Sequence, residues 1–277
     1  MGIFVIFWLF LFLLPAEAAN YFTPITGDTH YKLVFDDEFN ETNGLNQSLW
    51  STSDRQCDQV YPGCYAEWLA SNVSVHNGVL DLAVTPGPTI DGFQYGTAIV
   101  YSNKTSIPNE PIDIYMEAYI KPMDQAYGLA SGFWTNQAPN FTYPEVDVLE
   151  YWQATSPLYS SFNYFPAAGG LHEQMYYFGF DLGYGWHVFS AWWNPVSVTF
   201  YVDGIRTWMV NIPGAYVTTP TFDAIFNTTM GCCTVLPNNT TLLPNHMYVK
   251  YVHVYSAQPG AVAINPQYGY GGLGYHW

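Results

Sequence analysis

About a dozen short runs rich in β-branched and aromatic residues recur along this chain at close spacing. No stretch sustains a helical period with a cap at each end. The runs fall at 33–39, 73–84, 98–102, 114–120, 129–135, 145–152, 158–165, 175–181, 188–193, 198–202, 205–210, 222–228 and 247–255. Two of their junctions carry tight-turn signatures. Asn77-Gly78 divides 73–84 into a hairpin, and Asp203-Gly204 joins 198–202 to 205–210. A series of this kind closes its edges as an all-β sandwich or barrel. Neither an internal linker nor a repeat interrupts it.

Composition decides which partners such a sandwich can meet. Of 277 residues, 49% are hydrophobic and only 10% charged, enough apolar surface for a large core. Lys plus Arg number 6 against 22 Asp plus Glu, a net charge of −16. That charge repels a phosphate backbone, so nucleic acid is excluded as a partner, and anionic membrane surfaces are disfavoured. The apolar run 3–14 is too short to span a bilayer and ends in Pro15 and the A-x-A pattern Ala16-Glu17-Ala18. Residues 1–18 therefore read as a signal peptide, 19–257 as one β-sandwich domain, and 258–277, rich in Gly, Pro and Tyr, as a loosely ordered tail. No later segment reads as a membrane span. Eight N-x-S/T sequons, beginning at Asn40, Asn46, Asn72, Asn103, Asn140, Asn227, Asn238 and Asn239, fit a secreted glycoprotein. Cys57, Cys64, Cys232 and Cys233 match no zinc spacing and fit two disulfides, with three connectivities open.

The chemistry concentrates in Pro144-Glu145-Val146-Asp147-Val148-Leu149-Glu150-Tyr151-Trp152. On a strand, Glu145 and Asp147 share one face and Val146 and Val148 the other. Glu150 falls out of phase, and one β-bulge near Val148-Leu149 returns it to the acidic face. Three crowded carboxylates push their pKa values apart, and glycoside hydrolysis needs that division into an ionised nucleophile and a protonated acid. A solvated acidic edge strand and a calcium site are the alternatives. Flanking Val, Leu, Tyr and Trp speak against the first, and the absence of a D-x-D-x-D-G loop against the second.

Glu145-x-Asp147-x-x-Glu150 resembles the bulged active-site signature of glycoside hydrolase family 16. Further segments resemble that family in order along the chain. They are Leu33-Val34-Phe35-Asp36-Asp37-Glu38-Phe39, Asn77-Gly78-Val79-Leu80, Gly132-Phe133-Trp134, Trp186-His187-Val188-Phe189, Val198-Thr199-Phe200-Tyr201-Val202-Asp203-Gly204 and the strand 247–255. The resemblance implies a jelly-roll β-sandwich of two antiparallel sheets with an open concave substrate cleft, and endo-acting, retaining hydrolysis. It implies Glu145 as nucleophile, Glu150 as acid/base, and Asp147 between them to hydrogen-bond the nucleophile. Trp134 and Trp152 are expected to stack on sugar rings. Of the adjacent pair Trp192 and Trp193, at most one can face the cleft.

Laminarinases often place a His after the catalytic strand. Here Asn163 is the counterpart expected to contact substrate, and His172 falls in an expected loop. With so few Lys and Arg to receive sulfated galactans, the substrate expected is a neutral β-1,3-glucan. Another β-glycan, transglycosylation, or non-catalytic glucan binding are the alternatives. The polysaccharide is the partner expected of a monomer, with no cofactor. No metal is expected either: where many relatives hold calcium, the positions here are Glu38 and Lys250, and an ammonium cannot ligate a cation. Lys250 is expected to approach Glu38 or a neighbouring acid instead.

Overall fold

The computed structural model describes residues 31–42, 44–56, 65–103, 105–106, 113–124, 127–137, 142–152, 159–166, 170–212, 221–231 and 237–257. The expected signal peptide, the four cysteines, the sequon at Asn140 and the tail 258–277 lie outside them. The strands are Tyr31–Asp37 (β1), Trp50–Thr52 (β2), Arg55–Gln56 (β3), Ala66–Trp68 (β4), Val73–His76 (β5), Val79–Pro86 (β6), Tyr95–Thr97 (β7), Ile99–Ser102 (β8) and Thr105–Ser106 (β9). They continue with Ile114–Lys121 (β10), Leu129–Gln137 (β11), Thr142–Trp152 (β12), Tyr159–Phe165 (β13), His172–Tyr177 (β14), His187–Asn194 (β15), Ser197–Val202 (β16), Ile205–Asn211 (β17), Thr221–Met230 (β18) and Asn245–Ala257 (β19). Among the described residues there is no α-helix. Only the 3-10 turns Ala70–Asn72 and Leu182–Tyr184 interrupt the strands.

The strands form two open sheets. The larger, of eleven strands, runs β17-β16-β15-β10-β19-β6-β7-β4-β3, with β1 on β19 and β5 on β6. The smaller, of eight strands, runs β14-β13-β12-β11-β18-β8-β2, with β9 on β18. Every ladder is antiparallel except the short β4–β7 pair. Neither hairpin junction fits ordinary backbone: Asn77 and Gly78 have φ of 53° and 73°, and Asp203 and Gly204 of 50° and 75°. Positive φ at both central residues twists the turn with its strands, which is why Asn-Gly and Asp-Gly stand there.

The inner faces interdigitate. Phe133 on β11 stacks on Phe226 on β18 at 4.7 Å, and Trp50 packs on Phe35, Phe39 and Phe226. Trp50 is pinned by its indole N–H, which donates to Asp37 Oδ2 at 2.7 Å. Asp37 Oδ1 accepts the Phe39 N–H at the left-handed turn that follows β1. Because Phe133 points inward, its neighbours Gly132 and Trp134 face out, and the same alternation along β11–β13 sets the outer face used below.

Three expectations fail here. The run 175–181 is a strand only as far as Tyr177. Asp181 then accepts the Gly183 N–H and starts a 3-10 turn, and His172, expected in a loop, lies on β14 opposite Tyr164. Lys250 does not pair with Glu38. It is exposed at the position where β19 slips register against β10. The partner of Glu38 is His253, whose Nε2 lies 2.6 Å from Glu38 Oε1 while Nδ1 lies 3.4 Å from Glu117 Oε1. The bulge shifts alternation, so His253 rather than Lys250 comes onto the face beside β1 and β10.

Candidate active site

Strand β12 is read by its two neighbours. Against β11, Phe133 pairs with Leu149 and Trp134 with Asp147, so Val148 is the extra residue. Against β13, Asp147 pairs with Asn163 and Glu150 with Ser161. Three steps on β12 thus match two on β13, which is a one-residue bulge. Val146, Val148, Leu149 and Tyr151 all sink into the core. Glu145, Asp147 and Glu150 are left together on the outer face of the eight-stranded sheet.

Neighbouring strands hold each carboxylate. Asn136, buried on β11, donates its Nδ2–H to Glu145 Oε2. Asn163 on β13 donates to Asp147 Oδ2 at 3.2 Å and also to Glu150 Oε2. The Asn163 Oδ1 accepts from Ser161 Oγ at 3.0 Å, and Ser161 Oγ lies 3.1 Å from Glu173 Oε1 on β14. Asn136, Ser161 and Glu173 escaped the sequence reading. Their signal was present only as polar residues at alternate positions on strands flanking the acidic one.

None of the eight strands of this sheet carries Lys or Arg, and the sequence has none from 122 to 205. The sheet therefore supplies no fixed cation for three carboxylates. Burial pushes Glu145 up from 4.5 to about 7, against the hydrogen bond from Asn136 that favours its ionised form. Asp147, 3% exposed, is raised well above the usual carboxylate range by burial first, then by the charges of Glu150 and Glu145. The shift favours the protonated form of Asp147, which can donate a hydrogen bond as well as accept one. The cluster can hold one carboxylate ionised and another protonated at the same pH.

Trp134 lies on this face but not as an open platform. It is 5% exposed, packed with Trp68, Ile99 and Ile225. Its indole N–H donates to Asn227 Oδ1 at 2.8 Å. Trp68 on β4 belongs to the same buried cluster, a neighbour 66 residues away that strand alternation could not foresee. A Cβ on Gly132 would stand 2.4 Å from Asn227 Oδ1, so only glycine leaves room for that bond. Trp152 pairs with Ala130 through its backbone, and its side chain lies outside the described residues. Trp193 is in the core, and Trp192 faces away on the other sheet, donating to Asp113 Oδ1. Several sequon asparagines bond within the fold, among them Asn227, which accepts from Trp134, and Asn72, whose Nδ2 reaches Ala83 O and Thr85 Oγ1. Among the described residues no group of three His, Cys, Asp or Glu side chains is arranged to hold a metal ion.

Comparison with known proteins converges on one group. The family model for "Glycosyl hydrolases family 16" matches residues 65–224, more than half of the chain. A beta-glucanase of Bacillus subtilis (strain 168) is 30% identical over 169 residues, covering 60% of this chain and 64% of that protein. The chain thus spans just under two thirds of that relative's length. The laminarinase catalytic domain from Thermotoga maritima MSB8 superposes with a TM-score of 0.69 at 20% identity, covering 82% of this chain and 99% of that one. The endo-beta-1,3-glucanase from Pyrococcus furiosus gives 0.68 at 22% identity, covering 83% and 96%. At these identities the two structures establish the shared fold, the jelly-roll sandwich.

Proposed function

The chain belongs to glycosyl hydrolases family 16, and on that premise we propose that it is a secreted, endo-acting, retaining glycoside hydrolase that cleaves a β-1,3-glucan. The observation that carries the proposal is the bulge at Val148. It aligns Glu145, Asp147 and Glu150 on one face with no cation from their sheet to neutralise them.

Glu145, in its ionised form, attacks the anomeric carbon as Glu150 gives its proton to the departing glycosidic oxygen. Glu150, now ionised, takes a proton from the water that releases the glycosyl-enzyme. Protonated Asp147 lies beside Glu145 and steadies its negative charge before attack. Asn136 holds the nucleophile's orientation. Asn163 grips Asp147 and Glu150 together, so its first role is positioning. The glucan runs across the outer face of the eight-stranded sheet.

A second reading is a mixed-linkage β-1,3-1,4-glucan. It is favoured by Asn163, which stands where laminarinases often place a His, and by the similarity to the beta-glucanase of Bacillus subtilis. Reducing-sugar release from laminarin, lichenan, agarose and carrageenan separates the readings. Release from laminarin above lichenan, abolished by Glu145→Gln, is the expected result. Lichenan preferred over laminarin selects the second reading. No release from any of the four, with glucan still bound, marks a lectin.

A further inference from the structure

A fourth carboxylate is wired to the acid/base. Glu173 stands opposite Asn163 in the β13–β14 register, and Ser161 stands opposite Glu150 in the β12–β13 register. Phe162 and Tyr164 point into the core, so Ser161 and Asn163 point out, and Glu173 joins them on the outer face. The hydrogen bonds run Glu173, Ser161, Asn163, then Glu150 and Asp147. We propose that Glu173 is a positioning residue that acts through Ser161 and Asn163 to keep Glu150 protonated. The proposal rests on Glu150 being the acid of the reading above.

The argument is one of proton accounting. Asn163 turns its Nδ2–H2 to the carboxylates, so its Oδ1 must take a proton from elsewhere, and Ser161 Oγ is the donor within 3.0 Å. Ser161 has one proton and two acceptors, because Glu173 Oε1 is 3.1 Å away. When Glu173 is ionised, its charge-assisted bond claims that proton. Asn163 Oδ1 then faces a lone pair, and the amide loses the anchor that aims Nδ2 at Glu150. When Glu173 is protonated it donates to Ser161, Ser161 donates to Asn163, and the chain is satisfied from end to end. An ionised Glu173 therefore weakens the donor that favours ionised Glu150. Through space it also repels that ionised form. Both effects have the same sign and hold the proton on Glu150.

The other titratable groups on this face are Glu145 and Asp147 on β12, Asp223 on β18 opposite Asn136, and, further along, Tyr177 on β14, which pairs with Tyr159 of β13; β11 has no titratable residue. Glu173 differs from these in being exposed and reached through a hydroxyl that must choose its acceptor.

The test reads the titration of Glu150 in the free protein, so it stands whether or not any glucan is cleaved. Glutamate side chains are labelled with carbon-13, and the Glu150 carboxyl signal is assigned by its loss in Glu150→Gln. In Glu173→Gln the Glu150 midpoint is expected to fall by about 0.5 pH unit, the order for one like charge at a half-exposed site. Glu173→Asp is expected to recover most of that shift. In a Ser161→Ala background the Glu173→Gln shift is expected to shrink by at least half. An unchanged Glu150 midpoint in folded Glu173→Gln overturns the proposal. So does an equal shift with and without Ser161, which would make Glu173 a bare charge. A raised KM with an unmoved midpoint also overturns it, and makes Glu173 a substrate contact. Absence of activity in the parent with the midpoint shift intact would sink the hydrolase reading and leave the relay standing.

Discussion

Replacing Glu145 should make this protein more stable, and by an amount that depends on pH. Glu145 has an ordinary pKa of 4.5 when unfolded and about 7 in the fold, because burial disfavours its charge. The folded state therefore binds the proton more tightly. The stability this contributes is fully present below about 4.5 and is lost as pH rises from there through about 7. A displacement of about 2.5 units at about 1.36 kcal/mol each gives a loss of about 3 kcal/mol by pH 8, of which about 1 kcal/mol has gone at pH 5. Gln cannot ionise, and its side-chain oxygen can still accept the Asn136 N–H. Glu145→Gln should thus match the parent at pH 4 and exceed it by about 3 kcal/mol at pH 8, a rise of roughly 6–12 °C in Tm for a domain of this size. Urea unfolding followed by tryptophan fluorescence at pH 4, 5, 6 and 8 supplies the comparison. A difference that stays flat with pH, or a variant less stable than the parent at pH 8, would refute the claim that burial holds the Glu145 proton.

Further predictions address its surroundings. The acidic limb of kcat/KM reports the free enzyme and should lie near pH 7; Asn136→Ala removes the bond that favours ionised Glu145 and should move that limb higher, read from a pH–rate profile. Gly132→Ala should displace Asn227 and strand the Trp134 N–H, costing about 1–3 kcal/mol in denaturant unfolding, and Asn227→Ala should cost a similar amount. Burial opposes the charged form of His253, but its bonds to Glu117 and Glu38 prevail and raise its pKa above 6.5. Its contribution is therefore complete below about 6.5 and is lost as pH rises through the raised value, so the parent's stability advantage over His253→Gln should decline from pH 6 to 9. At pH 6, where His253 is charged, that advantage should reach about 3–5 kcal/mol, since Glu117 is 2% exposed and loses its paired charge.

The sheet architecture was legible because period-2 alternation and turn chemistry are local. Asn77-Gly78 and Asp203-Gly204 mark their turns in the sequence, and the out-of-phase Glu150 marks the bulge. Register was less legible. The slip in β19 that brings His253 rather than Lys250 to Glu38 is one residue in a run of alternating side chains, and nothing within that run marks it. Trp134 looked like a sugar platform because its strand faces outward. It is buried in a cluster with Trp68, Ile99 and Ile225, which come from strands in other parts of the chain. Asn136, Ser161 and Glu173 were invisible for a related reason. Each acts on a residue of another strand, and pairing across a sheet is decided by the whole fold.

The central claim is that Glu145 and Glu150 act as nucleophile and acid on one face of the sheet. Proton NMR of the first sugar released from laminarin, recorded before mutarotation, tests it most directly. A retaining pair gives the β-anomer first, with the α-anomer growing in later, and Glu145→Gln gives neither. The α-anomer appearing first, or β-anomer still released by Glu145→Gln, would contradict the account.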